Sequence, residues 1–199
     1  MTNLVEEGRM ATRTRATVEE VFRLSAQGER YELIDGDLVP MSPTNFEHGD
    51  TESYAAWVLN NFVLPRRLGK ILVGEVLFLL EQPDRLARAP DVAFVRLDRL
   101  RQQPDLTGAF HGPPDLAVEI VSPSNPAEAV DRKVDDWLSH GTLAVLVMYP
   151  KPRSAVLWRA DGAVRLHGDD EVSLDPAIPG FRCKLSELFP PSLDDLAAE

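Results

Sequence analysis

Apolar and polar positions along the chain follow two rhythms, one helical and one of alternating or continuous apolar blocks. Val18, Val21, Phe22 and Ser25 recur three or four apart behind Thr17 and Glu20, which fit a capping box, and predict a short helix over 18–27. Tyr31 to Ile34 and Asp37 to Val39 flank Asp35-Gly36, a strong two-residue hairpin signal. His48, Glu52, Ala55, Leu59 and Phe62 form one stripe of a long helix over 45–68, kinked or ended by Pro65. Residues 71–80 read as one strand, closed by the turn Gln82-Pro83-Asp84. Residues 91–95 read as the next strand, followed by a short helix near 97–102.

Gly112-Pro113-Pro114 halts the chain before a central strand at 115–121. Asn125 as N-cap, Pro126 at the first helical position and Glu128 at the third then open a helix. Val130, Val134, Trp137 and Leu138 give that helix its apolar face, and Gly141 stops it. Strands at 143–148, 155–159 and 164–166 follow, with turns at Pro150-Lys151-Pro152 and Asp161-Gly162 and a last helix over 184–188. This order predicts an α/β or α+β domain with a mixed central β-sheet flanked by helices. The expected division is a loose tail over 1–16, one domain over 17–189 and an acidic tail over 190–199.

The central strand changes the picture from fold to chemistry. Glu119 sits within Asp115-Leu116-Ala117-Val118-Glu119-Ile120-Val121, apolar on both of its faces. A lone ionised carboxylate there costs several kcal/mol, so it needs a partner, hydrogen bonds or a metal. Alternation puts Ala117 and Glu119 on one face, and Asp91 and Ala93 on one face of the preceding strand. On neighbouring strands, facing residues come within roughly 5 Å. Two carboxylates at that spacing suit Mg²⁺, and Lys133 on the following helix adds a cation able to position water or a phosphate. Lys133 shares a helical face with Trp137, so it is expected to point inward over the sheet. The set suggests divalent-metal phosphodiester chemistry. His48, on the buried stripe of the long helix, reads either as a core histidine or as a proton carrier near the metal. Glu32 reads as a further carboxylate of the site or as a surface strand residue, and Glu75 carries the burial argument more weakly. For Glu119 itself the bland alternative is an ion pair with Arg132 or Lys133.

Composition narrows the rest. At 199 residues and 44% hydrophobic, the chain is long and apolar enough for one domain with a core. No apolar run is long enough to span a bilayer, and the first residues include Glu6, Glu7 and Arg9 without a signal-peptide pattern, so a cytoplasmic protein is expected. Cys183 is the single cysteine, which excludes an internal disulfide and a thiolate cluster. The net charge of −11 weighs against nonspecific nucleic-acid binding driven by phosphate neutralisation. The basic groups Arg85, Arg88, Arg96, Arg99 and Arg101, and Arg66, Arg67 and Lys70, read either as solvated surface or as a phosphate-binding rim around Asp91.

The residues Tyr31 to Val39, Met41-Ser42-Pro43 with His48, Pro90-Asp91-Val92, Asp115 to Ser124, Lys133 with Gly141, Ile178-Pro179-Gly180-Phe181 and Leu185 to Phe189 together resemble the Uma-type restriction endonuclease family. The resemblance runs from about 18 to 189 and rests on order and spacing, since no single motif is specific. That family belongs to the PD-(D/E)xK phosphodiesterases. The resemblance implies a restriction-endonuclease-like fold, Asp91 and Glu119 as ligands of Mg²⁺ or Mn²⁺, and cleavage of nucleic acid, with DNA the first candidate. In the E-x-K pattern a lysine stands two residues after the glutamate; here that place is Val121, and the resemblance implies that the lysine has moved onto the following helix, where Lys133 matches its position. Leu146 to Pro150 also departs from the family, which usually has an aromatic residue and an aspartate before the proline. A homodimer is expected by analogy with restriction-type nucleases, in which each subunit cuts one strand.

The competing readings are a catalytically inactive nucleic-acid-binding or regulatory module on a nuclease fold, motivated by the acidic charge and by Val121, and an interaction protein using a strand edge or its acidic tail. A glycosidase could also use a carboxylate pair. The three tryptophans, however, fall on helices or a strand that need core residues, and leave no evident sugar platform.

Overall fold

The computed structural model describes residues 15–123, 125–192 and 195. The tails expected at 1–16 and 190–199 lie largely outside these residues. Helix α1 (Val18–Ser25) starts at Thr17, whose hydroxyl accepts from the Glu20 amide. Strands β1 (Tyr31–Ile34) and β2 (Asp37–Pro40) form the expected hairpin, with Ile34 opposite Asp37. Asp35 and Gly36 both take positive φ, as a tight hairpin turn requires. Helix α2 (Phe46–Val63) is capped by Asn45, which accepts from the His48 amide, and ends before Pro65.

The strand expected over 71–80 is two strands. Strand β3 (Gly69–Val73) and strand β4 (Phe78–Glu81) belong to different sheets. Between them Gly74 and Glu75 have φ of 82° and 60°, which breaks the extended run. Continuous apolar character hid the break, because both halves are partly buried. Strand β5 (Leu86–Arg88) precedes β6 (Val92–Arg96), helix α3 (Leu97–Gln102), β7 (Phe110–His111) and β8 (Leu116–Ile120). Helix α4 (Ala127–Ser139) has Pro126, not Asn125, at its N-cap. Asn125 instead accepts from the Ser122 amide and closes the turn before the helix. Strands β9 (Ala144–Tyr149), β10 (Ser154–Arg159), β11 (Gly162–His167), β12 (Glu171–Ser173) and β13 (Arg182–Lys184) follow, then a 3₁₀ turn at Leu185–Leu188.

Six strands form the central sheet in the order β11-β10-β9-β8-β6-β3, mixed because β8 and β9 run parallel across α4 while the other pairs are antiparallel. A second sheet has the order β2-β1-β5-β4-β7. One face of the central sheet packs Leu116, Val118 and Leu146 against Ala55, Leu59 and Val63 of α2 and against Ile178 and Leu185. The other face packs Ala117 and Val145 against Val134 and Trp137 of α4 and against Phe78 of the second sheet. Strand β8 is therefore covered on both sides, and all five of its residues are buried. Among the described residues no helix is long and apolar enough to cross a membrane.

Candidate active site

Strands β6 and β8 are neighbours, with Val92 opposite Val118 and Ala93 opposite Ala117. Continuing that register by one residue sets Asp91 beside Glu119, as the alternation predicts. The two carboxylates meet at the end of the paired strands, in a pocket of about 170 Å³ that His48, Glu32, Glu75 and Lys133 also line.

Glu119 is buried at 5% exposure, yet both of its oxygens are bonded. Trp137 Nε1 donates to Oε1 at 2.8 Å and Lys133 Nζ to Oε2 at 3.0 Å. The expected inward face of α4 is thus real: Lys133 and Trp137, one turn apart, converge on one carboxylate. Burial pushes the Glu119 carboxyl up to about 7, with help from the charges of Asp91 and Glu32, although Lys133 and the Trp137 hydrogen bond pull it down. Lys133 is also buried at its tip, but the carboxylates of Glu119, Glu32 and Asp91 more than offset that and raise its pKa. Its ammonium lies 3.5 Å from Glu32 Oε1 and 3.5 Å from the Ala89 carbonyl.

Asp91 Oδ2 accepts from the Ile120 amide at 2.6 Å, which ties the carboxylate to the strand that carries Glu119. Its Oδ1 lies 3.1 Å from His48 Nε2. That contact is close but poorly aligned, so His48 Nε2 has no hydrogen bond of good geometry among the described residues. His48 Nδ1 lies 3.3 Å from Ser122 Oγ. Burial disfavours the charged imidazole, but Asp91, Glu52 and Glu119 outweigh it and raise the pKa. Glu52 lies one turn on from His48 at 3.9 Å, and burial, with Asp91 nearby, raises its carboxyl as well. Glu52 went unassigned in the sequence, although its place on the His48 stripe was the available signal.

Glu32 is not a surface strand residue. It is 5% exposed and accepts from the Ala89 amide at 3.1 Å and from Arg88 at 2.7 Å. Arg88, itself buried, also donates from Nε to Asp136 of α4 at 2.8 Å. A chain of alternating charge therefore runs Asp136, Arg88, Glu32, Lys133, Glu119, from α4 through the second sheet to the central one. The sequence put Arg88 in a surface basic group and did not mark Asp136, because the partners of both lie far apart along the chain.

Three expectations are corrected. The described residues do not form the phosphate-binding rim: none of their arginines lines the pocket, Arg88 is internal, and Arg96 and Arg99 pair with Asp115 at the opposite end of β8. Glu75 is not a buried strand carboxylate; it lies in the break after β3 and pairs with Arg30 at 2.7 Å. Trp57 is not core: it stands 57% exposed on α2. Cys183 does not reach the site, and burial pushes its thiol up to about 12.

The pocket holds the Asp91–Glu119 pair, Glu32 and Glu75 on its wall and one ammonium, but no described group of three or more His, Cys, Asp or Glu side chains is arranged to cage a metal. That donor set suits Mg²⁺, which binds one or two carboxylates and keeps several waters, better than zinc, which takes three or four protein ligands.

A mixed sheet with helices on both faces and acidic groups at the strand ends is an α+β architecture. The fold is similar to the crystal structure of a "putative nuclease belonging to DUF820" from Anabaena variabilis ATCC 29413, over 87% of this chain and 97% of that one, with a TM-score of 0.74 and 20% identity. The Uma2 family model, described as "Putative restriction endonuclease", matches residues 18–186, and the chain belongs to that family. No curated protein matches it.

Proposed function

We propose that the protein is a divalent-metal-dependent endonuclease that hydrolyses phosphodiester bonds of nucleic acid, DNA first among them. One observation carries the reading: a buried Glu119 stands beside Asp91 in one pocket, with Lys133 against it. In this reading Asp91 and Glu119 hold Mg²⁺ or Mn²⁺. The bound cation would polarise the phosphodiester and ease formation of hydroxide from water.

The chain's own residues do the rest. Lys133, cationic at neutral pH, orients water or stabilises charge on the phosphate. Its stem is fixed by α4 and its tip by Glu32 and Glu119. Glu32, held by Arg88 and the Ala89 amide, keeps that ammonium in place. His48 carries a proton beside Asp91, and Ser122 steadies its ring. A homodimer, each copy cutting one strand, is part of the proposal.

The occupied oxygens of Glu119 favour a second reading, an inactive nucleic-acid-binding module. Incubation of supercoiled plasmid and single-stranded DNA with Mg²⁺ or Mn²⁺, beside Asp91→Ala and Glu119→Ala, separates the two. Cutting by the wild type alone supports the endonuclease. No cutting, with calorimetry showing no metal binding, leaves the binding module.

A further inference from the structure

Helix α2 closes in a turn that favours glycine. The Leu68 amide donates to the Val63 carbonyl at 3.2 Å and the Arg67 amide to the Leu64 carbonyl at 3.1 Å. That pair of bonds sets the residue after the helix in the left-handed region, where glycine is the usual occupant. Here the residue is Arg67, with φ of 54°. A Cβ is strained in that conformation, so the arginine stands there against the local preference. The helix end does not need it. Arg66 already serves that end, donating to the Phe62 carbonyl at 3.1 Å with its guanidinium 3.9 Å over the Phe62 ring. Arg67 is exposed and makes no ion pair or side-chain hydrogen bond among the described residues.

Arg67 lines a groove of about 310 Å³ with Arg96, Arg101 and Pro179, and Asp98 is the acid among its lining residues. Its walls are fixed against each other: the Leu97 amide donates to the Leu68 carbonyl at 2.9 Å, and Gly69 pairs with Arg96. Arg96 meets Asp98 at 3.6 Å and Asp115 at 3.4 Å. Arg101, exposed on α3, has no acidic partner among the described residues. Three guanidinium groups around one exposed carboxylate make the groove cationic in a chain of −11.

The candidate active site has the opposite character. Glu32, Glu75, Asp91 and Glu119 line it with one lysine, so a polyanion that reacts there needs a hold elsewhere. Strand β6 links the two places: Asp91 stands just before its first residue, and Arg96 is its last. Five residues of strand span about 17 Å, the length of about five nucleotides along one strand of a duplex. A guanidinium fork matches phosphate oxygens in pairs. The nuclease reading brings a phosphodiester chain to the far end of the same strand, which favours backbone phosphate over an acidic peptide as the occupant.

We propose that Arg67, Arg96 and Arg101 bind backbone phosphates of the nucleic acid whose scissile bond lies at Asp91 and Glu119. The inference rests on the nuclease reading and names how its substrate is held.

Arg67→Gly is the discriminating variant. It removes the guanidinium and supplies the residue that the turn favours, so it is expected to melt no lower than the wild type. Arg101→Glu reverses a second charge on an exposed helix. Binding of a labelled DNA duplex of about 20 base pairs, longer than the 17 Å span requires, is followed by fluorescence anisotropy without divalent metal across a salt series. Each variant is expected to bind about eightfold more weakly at about 0.1 M salt, with the slope of log K against log salt shallower by about 0.9. Wild-type affinity and slope in both variants overturn the proposal, as does a wild type that binds no duplex at low salt. A lower melting temperature in Arg67→Gly with affinity unchanged also overturns it, and makes Arg67 structural. A dimer that both variants dissociate, with duplex affinity unchanged, overturns it and assigns the groove to an acidic face of a second copy. Hydrolysis of bis(p-nitrophenyl) phosphate with Mg²⁺ or Mn²⁺, a substrate too small to reach the groove, reads the nuclease separately and is expected at the wild-type rate in both variants. Hydrolysis with duplex binding independent of both arginines removes the groove alone. Arginine-dependent binding without hydrolysis supports the phosphate groove and removes the cleavage at Asp91.

Discussion

Trp137, fully buried under the central sheet, donates its indole N–H to Glu119 Oε1 at 2.8 Å. The bond joins the helix α4 core to the one carboxylate of β8, and makes the tryptophan more than a filler of volume. Trp137→Phe keeps most of the apolar contact with Phe78 but removes the donor. It leaves a buried oxygen unsatisfied, at a cost of about 1–3 kcal/mol in urea unfolding. The hydrogen bond also lowers the Glu119 pKa, so the variant's carboxyl, followed by carbon-13 NMR, titrates higher than in wild type.

Stability of the metal-free protein depends on pH through the same carboxyl. Its pKa is raised from 4.5 to about 7 on folding, so the folded state binds the extra proton. The contribution is fully present below the unfolded value and is lost as pH rises through about 7, on the order of 3 kcal/mol over that window. His48, also raised, acts in the same direction: its contribution is present below 6.5 and lost as pH rises through its folded value. Chemical unfolding across this range shows stability falling with pH. In Glu119→Gln the part belonging to Glu119 disappears while the His48 part remains.

The sequence placed Asp91, Glu119 and Lys133 together because local rules carried each step. Alternation fixed the strand faces, and the helical period fixed Lys133 over Glu119. What it missed depends on contacts between distant segments. Arg88 looked like part of a surface rim because arginine is seldom buried; only the meeting of β5, β1 and α4 supplies its two carboxylates. Trp57 looked like core because aromatic residues on a helix usually pack, and only the position of β3 as the edge strand leaves it open. The break at Gly74-Glu75 was hidden for a similar reason: apolar residues on both sides are needed by two different sheets.

Arg88 bridges Glu32 and Asp136 while almost wholly buried, so removing it strands two acidic groups. Arg88→Met is expected to cost about 3–5 kcal/mol in denaturant unfolding. Asp136→Asn, whose partner Arg88 keeps its bond to Glu32, costs less. Equal losses in the two variants would show that Glu32 does not need the arginine.

Gly69 opens β3 opposite Arg96, and a Cβ there would stand 2.0 Å from the Val95 carbonyl oxygen. The Val95 carbonyl and the Arg96 Cα are backbone and cannot swing aside, and the Phe94 ring stands 2.8 Å away as well. Gly69→Ala therefore forces β3 away from β6, with an expected loss of about 1–3 kcal/mol. Faster amide exchange confined to β3 would place the damage at that edge.

Lys133 affects metal binding without being a proposed ligand. Its ammonium, 3.0 Å from Glu119 Oε2, opposes the burial that drives the carboxyl toward its protonated form. Lys133→Met removes that opposition, so the Glu119 pKa rises further and the carboxyl is protonated at neutral pH. A protonated carboxyl is a poor ligand for a divalent cation. Calorimetric titration with Mg²⁺ or Mn²⁺ is therefore expected to show weaker binding in Lys133→Met at neutral pH and recovery in mildly alkaline buffer, while the wild type changes less. Lys133→Arg restores the charge but not the compact ammonium, and is expected to recover metal affinity without recovering the rate of phosphodiester hydrolysis. Affinity lost at every pH in Lys133→Met would instead mean that the lysine holds the site's shape rather than its charge.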